Sequence, residues 1–197
     1  MMYKVLGTAN TRAFRVMWML EELDQPYDHV PAAPQSDGVV AFNPSGKVPV
    51  LIEDGTPITD STAIIQYLAD RHGALTHKAG TIERARQDSL TQFLLDEFDA
   101  VLWTAARHTF VLPEELRVSA IKDTLRWEFQ RSQQILKQRV GNGPYLMGEV
   151  MTVPDIILTH CLGWAQAARF PLMDCWDQNY LVKMRARPAY LRADARR

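Results

Sequence analysis

Cysteine, long apolar runs and charge imbalance are all scarce in this chain, and each scarcity closes off a class of function. Its 197 residues include two cysteines, Cys161 and Cys175, too few for a disulfide-stapled scaffold, and a reducing cytoplasm is the expected setting. Neither belongs to a CxxC pair, no histidine pair stands close to them, and no HExxH occurs, so no metal site is expected. The longest apolar runs fall far short of the ~20 residues that span a bilayer. The opening MMYKVLGTANTRAFRV has neither the apolar core nor the small-residue cleavage site of a secretion signal. A formal net charge of -1 gives no general attraction to nucleic acid or to an anionic membrane surface, and neither partner is expected.

A composition of 47% hydrophobic and 23% charged residues fits a folded protein with one substantial core or two small ones. The pattern changes along the chain. In the first third, extended and helical signals alternate: YKVLG (Tyr3–Gly7) reads as a strand, and a helix follows from Thr11 with Val16, Met17, Leu20 and Leu23 at helical spacing. Tyr27–Val30 is a second strand, and Pro31, Pro34 and Gly38 mark a loop before a short apolar piece ending at Phe42. Val48–Ile52 and Thr56–Ile58 make a hairpin around Glu53–Gly55, and TDSTAIIQYLADRH is a helix ending at Gly73. This order defines a small α/β sandwich.

From Ile82 onward the strand signals stop. Residues 83–108 read as one long helix with Leu90, Phe93, Leu94, Phe98, Val101 and Leu102 on its apolar side. Pro113 interrupts, and an apolar repeat from Val118 to about Val140 marks the next helix. TVPDIILTHCLGWAQAARF is apolar enough to be buried on several sides, and a final helix is expected over about Asp174–Arg187, before RPAY. The expected domains are residues 1–76 (α/β), a linker at 77–82, and an all-helical domain at 83–197. Residues 1–80 carry six Lys/Arg against nine Asp/Glu, and residues 81–197 carry sixteen against fourteen.

Four short segments carry possible chemistry, each with a plainer reading beside it. Pro49 has no N–H for a sheet ladder. A cis Val48–Pro49 peptide would leave the backbone of Val48 facing outward for a peptide-like ligand, whereas an edge-strand proline would do nothing of the kind. Asp60 and Ser61 open a helix, whose free amides attract a carboxylate. The Ser61 hydroxyl adds a donor and Asp60 an acceptor for an ammonium; the plainer reading is a helix cap. In TANTRAFRV, a hydroxyl or amide from Thr8, Asn10 or Thr11 can stabilise a thiolate, or Thr11 can simply cap the helix, with Arg12 and Arg15 solvated. Thr152 followed by Asp155 forms a capping box, stapled by Met151 and Ile156, with a role in stability rather than catalysis.

Together GKVPVL, ITDSTAIIQYL, FRVMWMLEELDQPYD and YLMGEVMTVPDI, in this order over nearly the whole chain, resemble the cytosolic glutathione transferases. The resemblance implies a thioredoxin-like N-terminal domain holding glutathione as co-substrate. It also implies a C-terminal helical-bundle domain supplying most of the second-substrate pocket. It assigns the Val48 backbone to the cysteinyl part of glutathione, makes Pro49 cis, and sets Asp60 and Ser61 at the γ-glutamyl end. Lys47 becomes a candidate for the glycyl carboxylate, and Gln35 a further loop candidate. The family's activating tyrosine, serine or cysteine has no clear counterpart; its place falls on Thr11 or Asn10, Thr11 being preferred, with Arg12 as an electrostatic helper. Trp103, Arg107, His108, Phe110 and Trp164, together with Phe170, are the expected walls for the second substrate. Conjugation of glutathione to a small, largely apolar electrophile is the expected activity. A peroxidase, isomerase or disulfide reductase, or a non-catalytic glutathione-binding module, is the alternative, and a cytoplasmic homodimer is implied.

Overall fold

Short alternating segments make a four-stranded sheet from the first sixty residues. β1 (Tyr3–Leu6), β2 (Tyr27–Val30), β3 (Val50–Glu53) and β4 (Thr56–Thr59) lie in the order β2-β1-β3-β4. β1 runs parallel to β2, while β3 is antiparallel to both β1 and β4. The structure, a computed structural model, describes residues 2–196; Met1 and Arg197, the outer ends of the expected domains, lie outside that range. β3 starts at Val50, two residues later than the sequence suggested, because Pro49 has no N–H to contribute to a ladder.

The helices of this unit are α1 (Ala13–Glu22), α2 (Asp37–Val40) and α3 (Ser61–His72). α2 is the short apolar piece that the sequence placed before Phe42; its Val39 packs with Leu6 and Val50. α3 ends at Gly73, whose φ of +64° is the left-handed conformation that closes helices at little cost to glycine. Every residue of α1 from Ala13 to Leu20 is buried. α3 covers part of its surface, and a helix from the far end of the chain, α9 (Pro188–Asp194), covers another. Tyr190 of α9 stacks edge-on against both Phe14 and Trp18, with ring centroids 5.0 Å apart in each case. Around the rings, Arg187 makes a forked contact to Glu22 at 2.6 and 2.7 Å, and Arg192 binds Glu21 at 2.7 Å. Glu22 is simultaneously the acceptor for the indole N–H of Trp18 at 2.8 Å.

α9 is absent from the sequence expectation, which ended the last helix at Arg187. Pro188 starts a new helix there, since proline's missing N–H is harmless at the first helical position. The residues up to Ala79, together with those from Met184 on, form one unit, and Gly80–Lys183 forms the other. The last turns of the chain thus group with the sheet rather than with the helical segment to which residues 83–197 had been assigned.

The second unit contains α4 (Ile82–Leu94), α5 (Ala100–Ala106), α6 (Ile121–Arg139), α7 (Val153–Ala167) and α8 (Val182–Arg185), the last of which runs across the unit boundary. Its long first helix is interrupted: wider π turns at Leu95–Asp99 and Arg107–Val111 flank α5. Another π segment, Cys175–Leu181, leads into α8. Phe98, Phe129 and Phe170 form an edge-to-face column with centroids 5.1 and 5.5 Å apart. Among the described residues no helix is long and apolar enough to cross a membrane.

α7 begins with the capping box read from the sequence, with both reciprocal bonds present. Met151 and Ile156 are buried beside it. Asp155 does more than a cap, being fully buried. One carboxylate oxygen accepts from the Leu146 N–H at 2.9 Å and the Tyr180 hydroxyl at 2.7 Å; the other accepts from the N–H and hydroxyl of Thr152. Burial pushes the Asp155 carboxyl up against the pull of these donors, and burial with the adjacent carboxylate pushes the Tyr180 phenol well up. Removing this carboxylate strands two buried donors besides losing the cap. Asp155→Ala is therefore expected to cost about 3–5 kcal/mol, above the ~0.5–2 kcal/mol of an ordinary cap. Equilibrium denaturation checks this; a loss confined to the cap range would reduce Asp155 to a helix cap.

Candidate functional site

Strand register decides which loops meet. Leu6 pairs with Val50, and Val50 with Thr59, so β1 ends, β3 begins and β4 ends on one edge of the sheet. Three segments leave that edge side by side: Gly7–Arg12, Lys47–Pro49 and Asp60–Ser61. Gly7 sets their spacing. At its φ of +135° a Cβ would sit 2.8 Å from the Ala13 Cβ and 3.1 Å from the Val48 Cβ, so only glycine lets the first loop lie against Val48.

The Val48–Pro49 peptide is cis. Val48 is half-buried, and among the described residues nothing bonds its N–H or its C=O. A donor and an acceptor on one residue at a sheet edge form the pairing edge that an extended peptide recognises. Lys47 is exposed, and its carbonyl accepts from the Asn43 side-chain amide at 2.8 Å. Gln35 braces its own loop: its N–H donates to the Gly46 carbonyl at 2.8 Å and its side-chain amide to the Ser45 carbonyl at 2.9 Å.

Asp60 caps α3. Its Oδ1 accepts from the N–H groups of Thr62 at 2.9 Å and Ala63 at 3.0 Å, which is the plainer of the two sequence readings. The other oxygen takes no hydrogen bond among the described residues. Asp60 has φ +72°, a conformation that costs a non-glycine residue about 1–3 kcal/mol and collects at ligand sites. Ser61, the first residue of α3, is buried, and among the described residues no acceptor takes its N–H.

Of the thiol-stabilising candidates, Thr11 is engaged within its own loop. Its hydroxyl donates to the Thr8 carbonyl at 2.7 Å and accepts from the Ala13 N–H at 3.2 Å, so it closes the turn into α1. Asn10 is exposed at the same edge, and Arg12 is half-buried. Arg15 departs from expectation: read as solvated, it is fully enclosed, with Nη1 3.4 Å from Ser61 Oγ. The signal for it in the sequence was a single cation inside the apolar run AFRVMWML.

The expected second-substrate walls all lie in the helical unit and divide into two kinds. Trp103 is half-buried on α5. Arg107 donates to the Thr104 hydroxyl at 2.9 Å, and Phe110 is 67% exposed. Trp164, on α7, meets His160 edge-on with centroids 6.3 Å apart. His108 and Phe170 are structural. His108 Nδ1 accepts from the Val118 N–H at 3.0 Å, tying down the segment after the π turn, and Phe170 is buried on Phe129. A cleft of about 500 Å³ on this unit, lined by Gln92, Phe93, Leu95, Asp96 and Ala100, includes none of these walls. Among the described residues no group of three or more metal-ligating side chains comes together.

A thioredoxin-like unit with an unpaired residue before a cis-proline, followed by a helical bundle, is the architecture of the glutathione transferase fold. Comparison with known proteins agrees. The family profile described as "Glutathione S-transferase, N-terminal domain" matches residues 11–76. Glutathione S-transferase GstA of Escherichia coli O157:H7 is 29% identical over 139 residues, covering 69% of this chain. The chain spans 66% of that relative, just under two thirds of its length. A glutathione transferase structure from Methylococcus capsulatus str. Bath superposes with TM-score 0.82 at 26% identity, covering 97% of this chain and 96% of the other. A sphingomonad glutathione S-transferase, solved in complex with glutathione, has the same fold at TM-score 0.79 and 24% identity, covering 96% of each chain. The chain belongs to the cytosolic glutathione transferase superfamily.

Proposed function

We propose that this protein is a glutathione transferase that stabilises the glutathione thiolate for attack on a small, largely apolar electrophile. The observation that carries the reading is the free N–H and C=O of Val48 beside the cis Pro49, on the same sheet edge as the first turn of α3. A peptide's cysteinyl backbone pairs with Val48, and its γ-glutamyl carboxylate meets the Ser61 N–H and hydroxyl. The second Asp60 oxygen accepts from the α-ammonium, and Lys47 lies near the glycyl carboxylate. Gln35 holds the loop and makes no ligand contact.

The sulfur then falls against the Gly7–Arg12 loop. The Thr11 proton is directed at the Thr8 carbonyl, so the Asn10 amide is the better donor to the thiolate, with Arg12 adding positive charge. The thiol releases its proton to solvent. The thiolate lone pair forms the C–S bond as the electrophile's leaving group departs with its bonding pair, or as an activated double bond takes up the charge and is protonated by water. Trp103, Arg107, Phe110 and Trp164 supply the aromatic and cationic surface for the electrophile. Titration of glutathione against the protein by calorimetry tests the first half of the reading. No binding at millimolar concentration would end it. A panel of an aryl halide, an organic hydroperoxide and a mixed glutathione disulfide tests the second half. Turnover of the aryl halide is expected; turnover of the hydroperoxide or disulfide alone would replace transferase with peroxidase or reductase.

Loss of the amide donor leaves the thiolate less stabilised, so its folded-state pKa rises and less thiolate is present at a given pH. In Asn10→Ala the absorbance titration of bound glutathione should move up by about one pH unit, one unit being ~1.4 kcal/mol of differential interaction. Glutathione affinity should change little. An unmoved curve would remove Asn10 from this role.

A cytoplasmic homodimer completes the proposal, on the strength of family membership and of the opposite formal charges of residues 1–80 and 81–197. Sedimentation at working concentration should give twice the 22.4 kDa chain mass; a purely monomeric species would reject the dimer.

A further inference from the structure

We propose that Arg107 anchors a carboxylate on the second substrate, so that the electrophile is an aromatic compound bearing one carboxylate. The proposal rests on the transferase reading above. A guanidinium carries its charge at any working pH, has five N–H donors and accepts nothing. Arg107 is half-buried at the start of the π turn Arg107–Val111, and its donors are unevenly used. Nη2 donates to the Thr104 hydroxyl at 2.9 Å. Nε is enclosed and has no acceptor among the described residues. Nη1 also makes no hydrogen bond there, but it lies at the surface. The inner side of the fork is therefore held in place, and its outer end is open.

Its surroundings supply no opposite charge. Arg84 and Arg126 of the same unit pair with Asp88 at 2.9 Å and Asp123 at 3.0 Å. Among the described residues no carboxylate pairs with Arg107, and residues 100–113 contain no Asp or Glu. An enclosed donor without an acceptor is costly and is confined to a few places in folded proteins, functional sites among them. The neighbours define what else the ligand carries. Trp103 and Thr104 stand one turn before Arg107 on the same face of the helix, and Trp103 is half-buried. In the π turn itself Phe110 is 67% exposed and Val111 44%. A fixed cation open at one end, beside aromatic surface, suits a ring that carries a carboxylate. Breaks of this kind in a helix are frequent at functional sites.

The test compares an acid with its amide. Calorimetry with 3-nitrobenzoate and 3-nitrobenzamide, which share a ring and differ in charge, is run on the parent, Arg107→Gln and Arg107→Lys. The parent should bind the acid roughly 10- to 100-fold more tightly, the span for hydrogen bonds to a charged group. In Arg107→Gln that preference should fall to about threefold or less. Arg107→Lys should be intermediate, because lysine keeps the charge and loses the planar fork. Turnover with glutathione then compares 4-chloro-3-nitrobenzoate with its amide, each as kcat/KM over the uncatalysed rate. In both, the thiolate forms a C–S bond at the same ring carbon and chloride leaves with its bonding pair. The acid should be favoured by a similar factor in the parent, and Arg107→Gln should lose that preference too.

Equal affinity of the parent for acid and amide, or binding of neither at millimolar concentration, would overturn the inference. So would a preference that Arg107→Gln leaves undiminished. Should Arg107→Gln fail to fold, Arg107→Lys decides, an undiminished preference overturning the inference there too. A parent that binds glutathione and turns over acid and amide alike would defeat this inference alone. A parent that prefers the acid but does not bind glutathione would defeat the transferase reading while leaving Arg107 a carboxylate site.

Discussion

β3 is antiparallel to its neighbours on both sides, with Val50 facing Leu6 across one ladder and Thr59 across the other. The whole candidate site follows from that pairing. Two strands must end where the third begins, so three loops of unrelated sequence emerge within reach of one another. Each then brings one kind of chemistry: loop donors and a cation from Gly7–Arg12, an unpaired backbone from Val48, and the start of a helix from Asp60–Ser61. A slip of one residue in either ladder would turn β3's side chains to opposite faces and separate these ends. Gly7 adds a second condition, since any larger residue would push the first loop off Val48.

Charge is enclosed at several points among the described residues, and three of them hold helices in place. Asp155 is surrounded by four donors and fastens α7 to the segments holding Leu146 and Tyr180. Glu22 is held by a forked arginine and an indole N–H, which joins α9 to α1. Both are acids matched by donors within their own unit. Arg15 is enclosed in α1, and its Nη1, 3.4 Å from Ser61 Oγ, links α1 to the start of α3. Enclosed charge serves cohesion in all three places.

Local features were legible in the sequence. Caps and turns are decided within four residues, so Thr152–Asp155, Asp60 and Gly73 could be read without knowing what packs above them. Val48 and Pro49 were legible only through their place in a longer order of motifs. Long-range features were not legible. Arg15 looks solvated until the partners that enclose it are known. The proton of Thr11 is directed by a 2.7 Å approach of its own loop's carbonyl, which composition does not reveal. The π turns that break the first long helix leave its apolar pattern intact, so periodicity passed over them. α9 is too short for periodicity to announce; its stability comes from Tyr190 and the arginines that meet α1.

The grouping of α9 with the sheet has a consequence for the order of synthesis. The chain leaves the first unit after Ala79 and returns to it at Met184. Phe14, Trp18 and the carboxylates of Glu21 and Glu22 are therefore made early but covered late, once all of Gly80–Lys183 has left the ribosome. Closing so long a loop carries an entropic cost that must be met before the last contacts form. Until then a nascent chain carries the loops of the candidate site on an incompletely covered α1. The helical segment must be made before the first unit can be finished.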